Sequence, residues 1–212
     1  MHLPDGIVSP TVAIAGYGLA GGMTWFCLKK IDRAGNVTEQ IPKAALLTAG
    51  FFTISSIHVP LPFGSIHLLL NGLIGIVLGY LAFPAISIGL FFQAVLFQHG
   101  GLSTLGLNAV LMGLPALLAY GLYQLGQRWQ RPWQQGTLAF VAGGGALLTS
   151  AAIFSTLAIA HIPADLDAGL EQAGIIAGLA LYSVQALIEG AFTVMAVTYF
   201  ARVKPELLEK RL

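Results

Sequence analysis

The chain has 212 residues, of which 56% are hydrophobic and only 9% charged, with a formal net charge of +1. A soluble domain carries about 25% charged residues, so this composition and a mean hydropathy of +0.80 exclude an ordinary soluble globule and a disordered tail. Ten cations spread over several loops exclude a broad phosphate-binding face for nucleic acid. The chain reads as an all-α integral membrane protein, with lipid as the solvent for most side chains. Its 26 glycines suit helices packed closely in lipid, and the single cysteine, Cys27, excludes an internal disulfide or thiolate cluster.

The first nine residues, Met-His-Leu-Pro-Asp-Gly-Ile-Val-Ser, have no basic n-region and no small-residue cleavage site, so no cleaved signal peptide is expected. Met1 precedes the bulky His2 and is expected to be retained. A free amine followed by histidine is a chelator. The amine, the deprotonated His2 amide nitrogen and a His2 ring nitrogen can bind one metal in fused rings, with three donors nearly in a plane. The fourth position stays open to a histidine from elsewhere. All-nitrogen planar ligation points to Ni(II), Cu(II) or low-spin Co(II), whereas Zn(II) prefers a tetrahedron. Pro4 and Gly6 suit a turn that folds the terminus back onto the membrane face.

Seven stretches are apolar enough to span a bilayer core of about 30 Å: 9–28, 44–58, 65–82, 85–98, 103–126, 136–160 and 172–201. The second and fourth are short, which fits tilted or half-buried helices. The whole chain is then one transmembrane domain, with an outer loop at 1–8, seven spans over 9–201 and a cytoplasmic tail at 202–212. With seven spans every basic residue falls on one face. Lys29, Lys30, Arg33 and Lys43 follow the first span, Arg128 and Arg131 the fifth, and Arg202, Lys204, Lys210 and Arg211 the seventh. The positive-inside rule makes that face cytoplasmic and places the N-terminus outside.

His2, His58, His67, His99 and His161 all fall toward the outer face. His161 sits in a polar loop beside Asp165 and Asp167, where an interfacial histidine needs no further role. The other four raise the prospect of a metal site, since imidazole is the commonest nitrogen ligand for such ions. Around His58 and His67, the run Pro60-Leu61-Pro62-Phe63-Gly64 predicts a non-helical turn, tolerated at membrane depth only when buried in protein or lining a cavity. His67 is expected to begin the third span. Gln98 to Asn108 is another outer turn, read equally as a glycine-rich helix junction capped by Ser103 or Thr104 and as pocket lining. Asp5 is placed to bond the terminal backbone or the His67 ring. Glu189 is the one acid inside a span, a costly place for a charge. Its position along the seventh span points to a structural or coupling role far from the outer site. Gly18-x3-Gly22 and Gly75-x3-Gly79 permit close helix approach, within the chain or toward a partner.

At these residues the sequence resembles the CbiM/NikM family, the substrate-specific (S) components of energy-coupling factor (ECF) ABC importers for cobalt and nickel. The resemblance rests on the Met-His-x-x-Asp-Gly opening, Pro62 to Leu68, Gln98 to Asn108, and Ala186 to Gly190 followed by Thr193, with Arg202 to Leu208 at the end. It implies an N-terminal helix added to a six-helix S-component core. It also implies that the Met1 amine, the His2 backbone and ring, and the His67 ring hold the ion. Beside that set, Asp5, His58, His99 and Asn108 are read as neighbours that orient a ligand or as alternative ligands, with a satisfied histidine of no metal role as the other reading of His58 and His99. The ion is cargo, and no cofactor is implied. The resemblance further implies a transmembrane T component, two cytoplasmic ATPase subunits and a small accessory membrane subunit, in a plasma (inner) membrane. None of the five lysines closes a Walker A run, so no ATP hydrolysis, and no enzymatic activity, is expected of this chain. Two rival classes stay open: an intramembrane metalloenzyme, which lacks a His-Glu-x-x-His pair here, and a secondary metal/proton transporter, which would favour several midplane acids.

Overall fold

The computed structural model describes residues 1–35, 37–57, 59–61, 64–126 and 132–208. His58, Pro62, Phe63, Arg128, Arg131, Lys210 and Arg211 lie outside the described residues.

Among the described residues seven α-helices follow one another: α1 (Pro10–Ala34), α2 (Val37–Ser56), α3 (Asn71–Leu78), α4 (Ala82–Phe97), α5 (Leu105–Gly126), α6 (Pro132–Ala160) and α7 (Ala168–Val203). Two three-residue strands, β1 (Val59–Leu61) and β2 (Gly64–Ile66), pair antiparallel between α2 and α3 with Val59 opposite Ile66. The segment expected there to be non-helical thus carries an antiparallel strand pair. Among the described residues, five stretches are long and apolar enough to cross a membrane: Pro10–Arg33, Asn71–Phe97, Leu105–Gly126, Gln134–Ala160 and Ala168–Val203.

The Asn71–Phe97 stretch is not one rod. A straight helix of that length would separate its ends by about 40 Å, yet the rings of His67 and His99, which flank it, lie 5.6 Å apart. The chain reverses at a 3-10 turn, Gly79–Leu81. Gly79 adopts φ 58°, ψ −127°, a conformation open essentially to glycine alone. Residues 67–70 run without regular structure and α3 adds eight residues, together about 25 Å. The sixteen residues of α4 return over about 24 Å. The lower end of α3 is tied to α2, where Lys43 Nζ donates to Val77 O at 2.8 Å.

Two expectations are corrected here. His67 does not begin a helix, because Leu70 takes a left-handed conformation (φ 54°) as the N-cap and α3 starts only at Asn71. The second helix is not short: it runs 20 residues with Pro42 inside, extended at its polar, charged start, where hydropathy does not register a span.

Every residue of α3 is buried. It lies centrally against α5 and α6, and Gly75 allows this because a side chain there would meet the Ala116 backbone. Gly18 and Gly22 have open space where a side chain would be, so that pair mediates no packing within the described residues. Helices α5, α6 and α7 pack in sequence, and the main apolar core gathers Ile74, Phe83, Ile86, Leu111, Met112 and Leu147.

Candidate metal site

Met1 and Leu3 are buried. Met1 packs into the main core, and Leu3 joins a smaller cluster with Val8, Ala13 and Leu107. A chain end that enters protein needs its backbone polar groups satisfied, and α5 with its preceding loop supplies this. Asn108 accepts from Leu3 N at 2.9 Å and donates to Leu3 O at 3.0 Å. The same carbonyl accepts from Thr104 Oγ1 at 2.6 Å and Gly101 N at 3.1 Å.

Two residues further, Asp5 accepts from Ser103 Oγ at 2.5 Å, Ser103 N at 2.7 Å and Leu102 N at 3.2 Å. Its bonds run to the 102–103 turn rather than to the terminal backbone or the His67 ring. The Ser103 hydroxyl and amide, then the Leu102 amide, hold its carboxyl below the ordinary value. A side chain at Gly101 would strike Asp5. The Gln98–Asn108 turn is therefore both helix junction and pocket wall.

This docking brings three imidazoles together. His2, His67 and His99 each offer a nitrogen, and these atoms lie within 4.8 Å of one another. The His2 and His67 rings are stacked at 5.7 Å and 24°. His99 stands edge-on to both, 4.1 Å from the His2 centroid. Burial lowers the His2 pKa well below the ordinary value, with further lowering from the nearby amine, His99 and His67. Burial also pushes the Met1 amine from 8.0 down to about 5. At neutral pH both groups therefore present lone pairs rather than protons, as a cation requires of its ligands.

Sequence reasoning missed Gln93. Its side-chain amide donates to Ser55 Oγ at 2.6 Å. The same side chain lies by the His2 ring and opposes the lowering of its pKa by burial, and both His2 ring nitrogens are buried. The Gln93 carbonyl also accepts from His99 N at 3.1 Å. A buried glutamine on an apolar helix is the signal that would have found it.

Glu189 overturns the expectation of distance. Its carboxylate accepts from Leu69 N and, at 3.0 Å, from Leu70 N, two and three residues beyond His67. The reason is the irregular 67–70 segment, which joins His67 to α3 and turns its Leu69 and Leu70 amides to α7.

Over residues 2–207 the chain matches the family described as cobalt uptake substrate-specific transmembrane region, CbiM. It is 29% identical over 211 residues to a putative metal transport protein of Haemophilus influenzae, covering 99% of this chain and 98% of that protein. It is 33% identical over 131 residues to the fused nickel transport protein NikMN of Rhodobacter capsulatus, covering 60% of this chain and 38% of that longer protein. A crystal structure of a transition metal transporter superposes with a TM-score of 0.76 at 23% identity, over 96% of this chain and 93% of that one.

Proposed function

The chain belongs to the CbiM family of cobalt uptake substrate-specific transmembrane proteins, and on that premise we propose that it is the metal-capturing subunit of a membrane importer for Co2+ or Ni2+. The observation that carries this reading is the convergence of the His2, His67 and His99 rings at one end of the helices, with the buried Met1 amine one residue from His2. The Met1 amine, the His2 amide and ring nitrogens, and the His67 ring form a four-nitrogen set whose chemistry favours planar d-block ions. His99, edge-on to His2, fixes that ring's rotation by contact.

The fold-back at Gly79 supports seven crossings, the unit 67–78 and α4 counting separately. Basic residues then share the cytoplasmic face, and the site opens outward. Without a Walker A motif, energy comes from partners: a T component and two ATPase subunits of an ECF-type importer. The fused NikMN relative, in which a segment similar to this one is joined to further sequence, supports a working association with other components. The ion is captured outside and released inside when the partners move this subunit.

The test compares Ni2+ and Co2+ affinity of protein with its native Met1 and with two residues added before Met1. Loss on extension is expected, because the added peptide bond removes the amine's lone pair while leaving every histidine in place. One observation favours a second reading: His99 is as close to the cluster as His67, so His2, His67 and His99 can form a three-imidazole site. That arrangement would survive the extension and be lost in His99→Ala.

A further inference from the structure

His67 is carried on a segment with no regular secondary structure. Residues 67–70 lie between β2 and α3, so neither a helix nor a ladder fixes their backbone. Leu70, which ends the segment, has φ 54°. A bulky non-glycine residue keeps that conformation only where its surroundings impose it.

The imposing groups come from two residues one turn apart on α7. Gln185 Nε2 donates to His67 O at 2.5 Å. Glu189 accepts from Leu69 N and Leu70 N with its two carboxylate oxygens, and Gln185 Nε2 stands 3.4 Å from Glu189 Oε1. Both side chains are fully buried, at 2% and 0% exposure. Three of the four backbone positions from His67 to Leu70 are thus held by this pair. A buried acid in a membrane bundle is expensive, and a carboxylate is the one side chain here that accepts two adjacent N–H groups without offering a donor. The acid is not part of the histidine cluster, and its oxygens face backbone amides.

We propose that Gln185 and Glu189 are positioning residues for metal capture, holding the 67–70 backbone so that the His67 ring meets the N-terminal chelate. This rests on the reading of His67 as a ligand. Glu189→Gln keeps one acceptor and turns an NH2 toward a backbone N–H, so the segment loosens while the N-terminal chelate stays docked on α5.

The experiment is a double-mutant cycle on purified protein with native Met1, using Glu189→Gln, His67→Ala and both together. Ni2+ affinity is read by chelator competition, and the ligand set by the visible d–d spectrum of the Ni2+ complex. Glu189→Gln is expected to weaken binding about 10- to 100-fold at unchanged stoichiometry, the usual cost of losing a group that orients a ligand. Its spectrum is expected to move toward that of His67→Ala. In the His67→Ala background the added change is expected to alter affinity by less than about twofold, since coupled residues do not act additively. Equal weakening in both backgrounds, or an unchanged affinity and spectrum in Glu189→Gln while His67→Ala is weakened, overturns the proposal alone. Full affinity in His67→Ala overturns the site reading and this proposal with it. Should Glu189→Gln fail to fold, Gln185→Ala, which leaves the carboxylate in place, takes its position in the same cycle with the same outcomes.

Discussion

At the scale of single residues, the site depends on bonds to one backbone unit. Leu3 offers an N–H and a C=O, and Asn108 engages both. Removing two buried neutral hydrogen bonds costs about 2 kcal/mol, so Asn108→Ala is expected to weaken metal binding about 30-fold. Its thermal unfolding should change far less, because the helices do not rely on the terminus. Protonation gives a second test. An ordinary terminal amine is largely charged at pH 7 and must lose a proton to bind a metal. Here the amine's pKa is lowered to about 5 by burial, and that of His2 is lowered too. Calorimetry at pH 7 in buffers of different ionisation enthalpy is expected to show about one proton released per ion, that of the His2 amide. Release of two would mean that the amine is charged before binding. Acid also loosens the docked loop. Between pH 8 and about 5 the undocked amine takes up a proton that the buried one refuses. Asp5, whose pKa is depressed, adds stability above its ordinary value and loses it as the pH falls through the folded one. Protection of the Leu3 amide from hydrogen exchange, corrected for intrinsic rate, should fall monotonically from pH 8 to 4.

At the scale of elements, the sequence separated 65–82 from 85–98 although the apolar run continues across them. Helical geometry agrees, since only a reversal at Gly79 lets His67 and His99 meet. Hydropathy alone joins the two, because α3 is buried, α4 carries apolar residues on both its buried and its exposed face, and the buried turn between them carries no polar punctuation. Gly79→Ala is expected to cost about 1–3 kcal/mol for a forbidden backbone region, read as a lower unfolding temperature in detergent. What the sequence concealed is the irregular 67–70 stretch: four residues, His-Leu-Leu-Leu, that read as helix or strand equally well. Their conformation is set by Gln185 and Glu189, more than a hundred positions away. That is also why Glu189 was assigned to the wrong neighbourhood while His2, His67 and Asn108 were marked from their local motifs. Gln93 was overlooked because its partners, Ser55 and His2, lie elsewhere in the chain.

At the scale of the molecule, the proposed orientation rests on the charge distribution, and the outward address of the site rests on that orientation. With Cys27 replaced, a cysteine at Asp165, in the exposed loop between α6 and α7, should react with a membrane-impermeant maleimide on intact cells. One at Lys204, just past α7, should react only after the membrane is opened. The reverse pattern would place the histidines inside and exclude capture from outside.

The short helix α3 has one further property. Glu189 on α7 meets the amides at its upper pole, and Lys43 on α2 meets the carbonyl of Val77 at its lower pole. The charges match the helix dipole at both ends. Mechanically, α3 is a strut pinned at opposite ends to two different walls, with His67 mounted just beyond the upper pin. A shear of α2 against α7 then cannot be absorbed quietly. It either breaks a pin or drags the histidine, so the strength with which an ion is gripped becomes a gauge of how those two walls stand.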